Sequence, residues 1–177
     1  MGATLPFCYR DAMIDRISPR VAAAFVVAVG VFALGVAFAF QYVGGFAPCL
    51  LCIWQRYPYG VAIALGVIAF LLADKPGAAR ALIGLAGVVF LADAAIAAFH
   101  VGVEQKWWEG TAQCGGNLGA GLTAEELTKQ LLETPVVRCD EVAWSLFGIS
   151  MAGYNFLLAA AAGIVALVWA ARPRSSR

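Results

Sequence analysis

Charge is scarce in this chain, with 12 Lys or Arg, 11 Asp or Glu and one His among 177 residues, so that 13% of residues are charged. A soluble globular domain carries about 25%, which excludes a soluble enzyme. The formal net charge of +1 offers no field to a nucleic acid or another polyanion, and 62% hydrophobic residues exclude a disordered regulator. Runs of short alternating strands are also missing, and with them a transmembrane β-barrel. No internal repeat occurs, and no low-complexity segment beyond Ala-rich stretches. What is present, at a mean hydropathy of +0.82, reads as a single membrane domain over residues 1–177.

A bilayer core about 30 Å thick needs about 20 apolar helical residues. Four stretches qualify: 21–42, which holds no charge; 49–73; 81–99, interrupted only by Asp93; and 146–171. The expected fold is an all-α membrane protein, a four-transmembrane-helix bundle whose frequent Gly and Ala let helices approach closely. Pro76-Gly77, flanked by Asp74, Lys75 and Arg80, reads as a tight hairpin between the second and third spans. Outer loops are expected at 43–48 and 100–145. In the second loop, Thr123-Ala124-Glu125-Glu126 is a capping box that opens a short helix through Glu133. Leu127, Leu131 and Leu132 share one side of it, as in an outer interfacial helix or a connector packed on the bundle.

Arg10, Arg16, Arg20, Lys75, Arg80, Arg172, Arg174 and Arg177 fall on one side of such a bundle, against Arg56, Lys106, Lys129 and Arg138 on the other. Most of the acids join the second group. By the positive-inside rule both termini face the cytoplasm and the two loops face outward. The first apolar stretch is too long for a signal-peptide core and no small-x-small site follows it, so an uncleaved span is expected. Pro6 stands where a myristoylation signal carries Ser or Thr.

Four of the five cysteines fall on the outer side. Cys49-Leu50-Leu51-Cys52 lies where the first loop enters the second span, Cys114 and Cys139 lie in the long loop, and Cys8 alone is on the cytoplasmic side. An oxidising compartment permits disulfides and a reducing one disfavours them, so two outer pairs and one dispensable thiol fit the count. A C-x-x-C ring is strained and readily reduced, and a helix N-terminus favours thiolate, which makes redox chemistry the first reading. Two others stay open at this point. A zinc site could use all four outer thiols, although Cys114 and Cys139 lack a second C-x-x-C knuckle. A purely structural Cys114–Cys139 disulfide would leave the other pair unexplained.

Pro48-Cys49-Leu50-Leu51-Cys52-Ile53-Trp54-Gln55-Arg56 resembles the signature of the DsbB family of membrane thiol oxidases. His100-Val101-Gly102-Val103-Glu104, Cys139-Asp140, Trp144 and Ser150-Met151-Ala152 are similar to it too, and the likeness in span number and cysteine order runs from about residue 20 to 171. The resemblance implies a bacterial inner-membrane enzyme that re-oxidises a DsbA-like periplasmic thiol oxidase and generates disulfides de novo. Its electrons pass to the membrane quinone pool, ubiquinone or menaquinone, with no metal. The partner thiolate would attack Cys114 of a Cys114–Cys139 disulfide, Cys139 would attack Cys49 of a Cys49–Cys52 disulfide, and the freed Cys52 thiolate would donate to the quinone.

The residues themselves support these roles. Arg56 lies i,i+4 from Cys52, where a permanent cation stabilises a thiolate and charge developing on a quinone oxygen; the plainer alternative is a snorkelling arginine. His100 lies at the outer end of the third span, placed to hydrogen-bond a quinone oxygen or move its protons, and Glu104 one turn on would orient it. Asp93, on the same face two turns deeper, is an intramembrane acid and so a candidate for a proton path or for pairing with Arg56. Gln55 reads as facing headgroups, and Trp54, Tyr57, Tyr59, Trp107, Trp108 and Trp144 as an aromatic belt. Three rivals remain. A vitamin K epoxide reductase-like oxidase would carry its C-x-x-C after the distal pair. A membrane metal-binding or structural protein would use four outer thiols, and an outward reductant conveyor would need paired cysteines toward the cytoplasm.

Overall fold

The computed structural model describes residues 17–111, 114 and 137–172. Helix α1 (Pro19–Tyr42) starts where Ser18 accepts the Val21 amide and Pro19 supplies a φ already helical. The second span is two helices, α2 (Leu50–Trp54) and α3 (Arg56–Leu71), joined at Gln55. Pro58 explains the joint, because it has no N–H for the Trp54 carbonyl and its ring crowds that group.

Helix α4 (Pro76–Glu104) is longer at both ends than the expected 81–99. Pro76 opens the helix rather than closing a hairpin, since proline fits the first turn and forces Lys75 out of the helical region, at φ −110° and ψ 78°. At the other end Lys106 takes a left-handed φ of 60°. Its amide bonds Val103 O at 3.0 Å and that of Trp107 bonds Gly102 O at 2.9 Å, a Schellman cap that keeps residues 100–104 helical. The loop expected from residue 100 therefore begins only after Glu104.

The last span, α5 (Met151–Ala171), also starts later than the expected 146. Before it, β1 (Ser145–Leu146) and β2 (Ile149–Ser150) pair antiparallel across Phe147 and Gly148, whose φ values of 50° and 78° are those of a type I′ turn. Ser150 then accepts the Gly153 amide at 3.1 Å and caps α5.

The spans pack in chain order, α1 on α3, α3 on α4 and α4 on α5, through small residues. A Cβ on Gly87 would stand 3.1 Å from Gly163 O, and one on Gly163 would stand 2.9 Å from Gly87 O, so these two backbones touch directly. With Ala and Gly turned inward, Val31, Leu71, Leu85 and Val88 face outward as a lipid-exposed belt. The four spans, Pro19–Tyr42, Leu50–Leu71, Pro76–Glu104 and Met151–Ala171, are each long and apolar enough to cross a membrane. They form the four-helix all-α bundle expected from the sequence.

Helices α1 and α5 meet only slightly. Between them, at the cysteine end, a cavity of about 690 Å³ opens. The opposite end is basic: Arg20 pairs Asp74 at 2.9 Å, and Arg80 caps the last carbonyls of α5 at Trp169 and Arg172. The expected interfacial helix at 123–133, together with Cys8, lies outside the described residues.

Candidate functional site

Cys49 is the N-cap of α2. Its Sγ accepts the Cys52 amide at 3.3 Å, so the short helix itself turns both sulfurs toward each other, 2.7 Å apart and both thiols. The bonded Cys52 thiol and burial push the Cys49 thiol above its ordinary range. Cys114 and Cys139 form a disulfide. Cys49, Leu51, Val103, Cys114 and Cys139 make one buried cluster, which brings the two pairs into the same packed layer. Next to it, Arg138 clamps both carboxylate oxygens of Asp140, at 2.9 and 2.6 Å, and holds that carboxyl below its usual range.

His100 belongs to this layer. Its Nε2 lies 3.6 Å from Cys49 Sγ, and its Nδ1 3.2 Å from Gln55 Nε2. Glu104 Oε1 lies 3.9 Å from the same Nε2, while the other Glu104 oxygen accepts the Ser150 hydroxyl. Asp93 is fully buried, and Asn155 Nδ2 donates to its Oδ2 at 2.9 Å. Its partner is therefore Asn155 rather than Arg56. Arg56 donates instead to Gln41 Oε1 at 2.7 Å and lies over the Phe38 ring, 5.0 Å from its centroid. The cavity is lined by Cys49, Cys52, Arg56, His100 and Glu104, whereas Asp93 stands behind Tyr59 and Asn155.

One of the belt aromatics, Tyr59, is placed differently from the sequence expectation, and another, Trp144, stands in the cavity wall. Tyr59 is 3% exposed and donates to Asn155 Oδ1, so it is a core residue. Trp144 packs on Phe40, with ring centroids 5.1 Å apart, and lines the cavity. Gln55, read as facing headgroups, is buried between His100 and Asn155. Gln41 and Asn155 escaped the sequence reading altogether, and Ser150 entered it only through the resemblance. Their signal was an uncharged polar residue in an apolar span, which must find an internal partner.

The four-thiolate zinc reading does not fit this arrangement, because a disulfide occupies two of its sulfurs. A smaller donor set does converge: the ligating atoms of Cys49, Cys52 and His100 lie within 4.8 Å of one another.

The model of the family described as disulfide bond formation protein DsbB matches residues 19–169. The chain belongs to the DsbB family. A disulfide bond formation protein B of Aromatoleum aromaticum is 31% identical over 150 residues, which cover 80% of this chain and 86% of that one. One of Hahella chejuensis is 30% identical over 146 residues, covering 80% and 87%. An uncharacterized protein of Rickettsia prowazekii is 25% identical over 135 residues, covering 75% and 77%. No solved structure matches. DsbB membership and two cysteine pairs make the chain a redox enzyme of the quinone-linked disulfide relay kind, built as a multi-pass membrane protein.

Proposed function

We propose that this DsbB-family protein takes electrons from a thioredoxin-like, DsbA-like periplasmic dithiol protein and delivers them through Cys114–Cys139 and then Cys49–Cys52 to a membrane quinone. The observation that carries the reading is the position of Cys49 and Cys52 in the wall of a lipid-level cavity while the loop disulfide packs against the same cysteines. Every transfer between cysteine pairs is attack of a thiolate on a disulfide sulfur, with the released thiolate as the next nucleophile, so two electrons move per step and none is lost before the quinone accepts them. The Cys114–Cys139 pair is buried, at 2% and 1% exposure.

The cavity suits a quinone. Its deep walls are apolar, from Phe32, Val36 and Leu157, and its outer end is polar, with Arg56, His100 and Asn155. The quinone supplies a two-electron, two-proton acceptor. In this scheme Arg56 holds a fixed positive charge beside the acceptor end, Gln41 aims its guanidinium, and His100 and Glu104 lie where protons leaving the thiols can be held. The basic end, with Arg20, Arg80 and Arg172, supports a cytoplasmic placement for both termini and a periplasmic one for the cysteines, in the bacterial inner membrane.

The test is anaerobic quinone reduction by the purified protein given a reduced thioredoxin-like periplasmic dithiol protein. Quinol formation should vanish in both Cys52→Ser and Cys114→Ser. Quinol formation that survives Cys114→Ser would remove the loop pair from the path. No reduction with ubiquinone or menaquinone would overturn the function.

A further inference from the structure

The scheme above leaves one buried feature unused, a row of side chains running from Cys49 into the membrane. His100 Nε2 faces Cys49 Sγ at 3.6 Å and His100 Nδ1 faces Gln55 Nε2 at 3.2 Å. Gln55 Oε1 accepts from Asn155 Nδ2 at 3.0 Å, and the same Nδ2 donates to Asp93 Oδ2 at 2.9 Å. Tyr59 closes the row by donating to Asn155 Oδ1 at 2.6 Å.

We propose that Asp93, Asn155 and Gln55 are positioning residues that hold His100 as its Nε2–H tautomer, so that the ring donates a hydrogen bond to the Cys49 sulfur. Asp93 Oδ2 accepts, so Asn155 must present its amino group there and turn its oxygen to Tyr59. The second amino hydrogen of Asn155 then meets Gln55, which must present its oxygen. Gln55 is left with its own amino group against the ring, and an amino group only donates, so Nδ1 must be the bare nitrogen. The doubly protonated ring is excluded on the same ground, and the single ring proton sits on Nε2, toward Cys49.

Burial gives this logic its force. Asp93 is 0%, His100 4% and Gln55 7% exposed, so a donor set against a donor is costly. Asp93 Oδ1 has no partner among the described residues, which leaves the bond to Asn155 as this acid's anchoring contact in the row. Glu104 does not set the tautomer, because its nearer oxygen stands 3.9 Å from Nε2 and the other is held by Ser150. The consequence falls on Cys49. Its sulfur receives the Cys52 amide at 3.3 Å and the His100 N–H, two donors that stabilise it as the thiolate released when Cys114 attacks Cys139 and resolves the Cys139–Cys49 mixed disulfide. That last step rests on the proposed relay; the tautomer itself does not.

His100 is the sole histidine, so nitrogen-15 NMR of histidine-labelled, tag-free protein in lipid nanodiscs reads one ring. The wild type should show a bare Nδ1 and a protonated Nε2. Gln55→Glu sets an acceptor opposite Nδ1, and a proton should appear there. Gln55→Met and Asp93→Asn remove the directing group, and a fraction of Nδ1–H should appear in each. Glu104→Gln should leave the ring unchanged. A wild-type proton on Nδ1, or a bare Nδ1 in all three row variants, overturns the proposal. Shifts in the Gln55 variants without one in Asp93→Asn overturn the part assigned to Asp93 and Asn155. Should Asp93→Asn fail to fold, the wild type and the Gln55 variants still decide. No electron donor or quinone enters this measurement, so its failure is distinct from failure of the relay.

Discussion

Cys49 Sγ and His100 Nε2 lie 3.6 Å apart although 51 positions separate them in the chain. The contact joins the cap of a five-residue helix to the C-terminal end of the longest span, and it exists because α4 runs on past the expected boundary to Glu104. A hydrogen bond to a charged group is worth about 1.5–3 kcal/mol, or about ten- to a hundredfold in rate. His100→Phe should slow quinol formation by that factor while the Cys114–Cys139 disulfide still exchanges with the dithiol donor. A stopped-flow comparison of the two steps separates them.

Arg56 carries its charge into the cavity wall on Gln41 and Phe38. Arg56→Ala should raise KM for quinone by about tenfold or more, the loss of one charge-assisted contact. Gln41→Ala should move KM in the same direction by less. Steady-state kinetics with varied quinone checks both; a change confined to the dithiol donor's KM would remove Arg56 from the acceptor site.

The Cys49 thiol is pushed up by the Cys52 thiol and by burial. A raised thiol pKa means a smaller thiolate fraction at any given pH. In the reduced protein, iodoacetamide labelling of Cys49 should therefore stay slow through the pH range where an ordinary thiol ionises, and rise only above it. Cys52→Ala removes the largest cause and should bring that rise to lower pH. Mass-spectrometric labelling rates across pH give the answer.

Close approach of α4 and α5 at Gly87 and Gly163 leaves no room for a side chain. Gly163→Val should cost about 1–3 kcal/mol through forced separation of the two helices. Gly35→Ala, with nothing within 4 Å of the new methyl, should be neutral or more stable by about 0.5–1 kcal/mol. Unfolding titrations in mixed micelles compare the two.

Cys49, Cys52 and His100 can face a single thiophilic ion. Dialysis against a chelator should leave quinol formation unchanged, because the relay uses these sulfurs as nucleophiles. Stoichiometric zinc by elemental analysis, with activity lost on its removal, would transfer the site to metal chemistry.

Membrane class, span number and the pairing of Cys49 with Cys52 were legible in sequence because each rests on a local property: apolar length, or a thiol pair one helical turn apart. The joint at Gln55 had a local cause too, in Pro58, but a span read as one apolar run hides it. The start of α4 at Pro76 was mistaken for a turn because Pro-Gly serves both, and only the capping geometry separates them. The β-hairpin before α5 depends on left-handed backbone at Phe147, a residue that does not advertise it.

The sequence by itself determined that this chain crosses a membrane four times and carries a thiol pair at the N-terminal end of its second span. Apolar runs and one-turn spacing act over a few residues and need no partner to be read. Only the tertiary structure decided that Asp93 answers to Asn155 rather than to Arg56, that Gln55 and Tyr59 are interior, and that His100 faces Cys49. Those outcomes depend on which helices come together. In a bilayer that choice is made by Gly and Ala contacts and by buried polar groups that must find one another across the bundle.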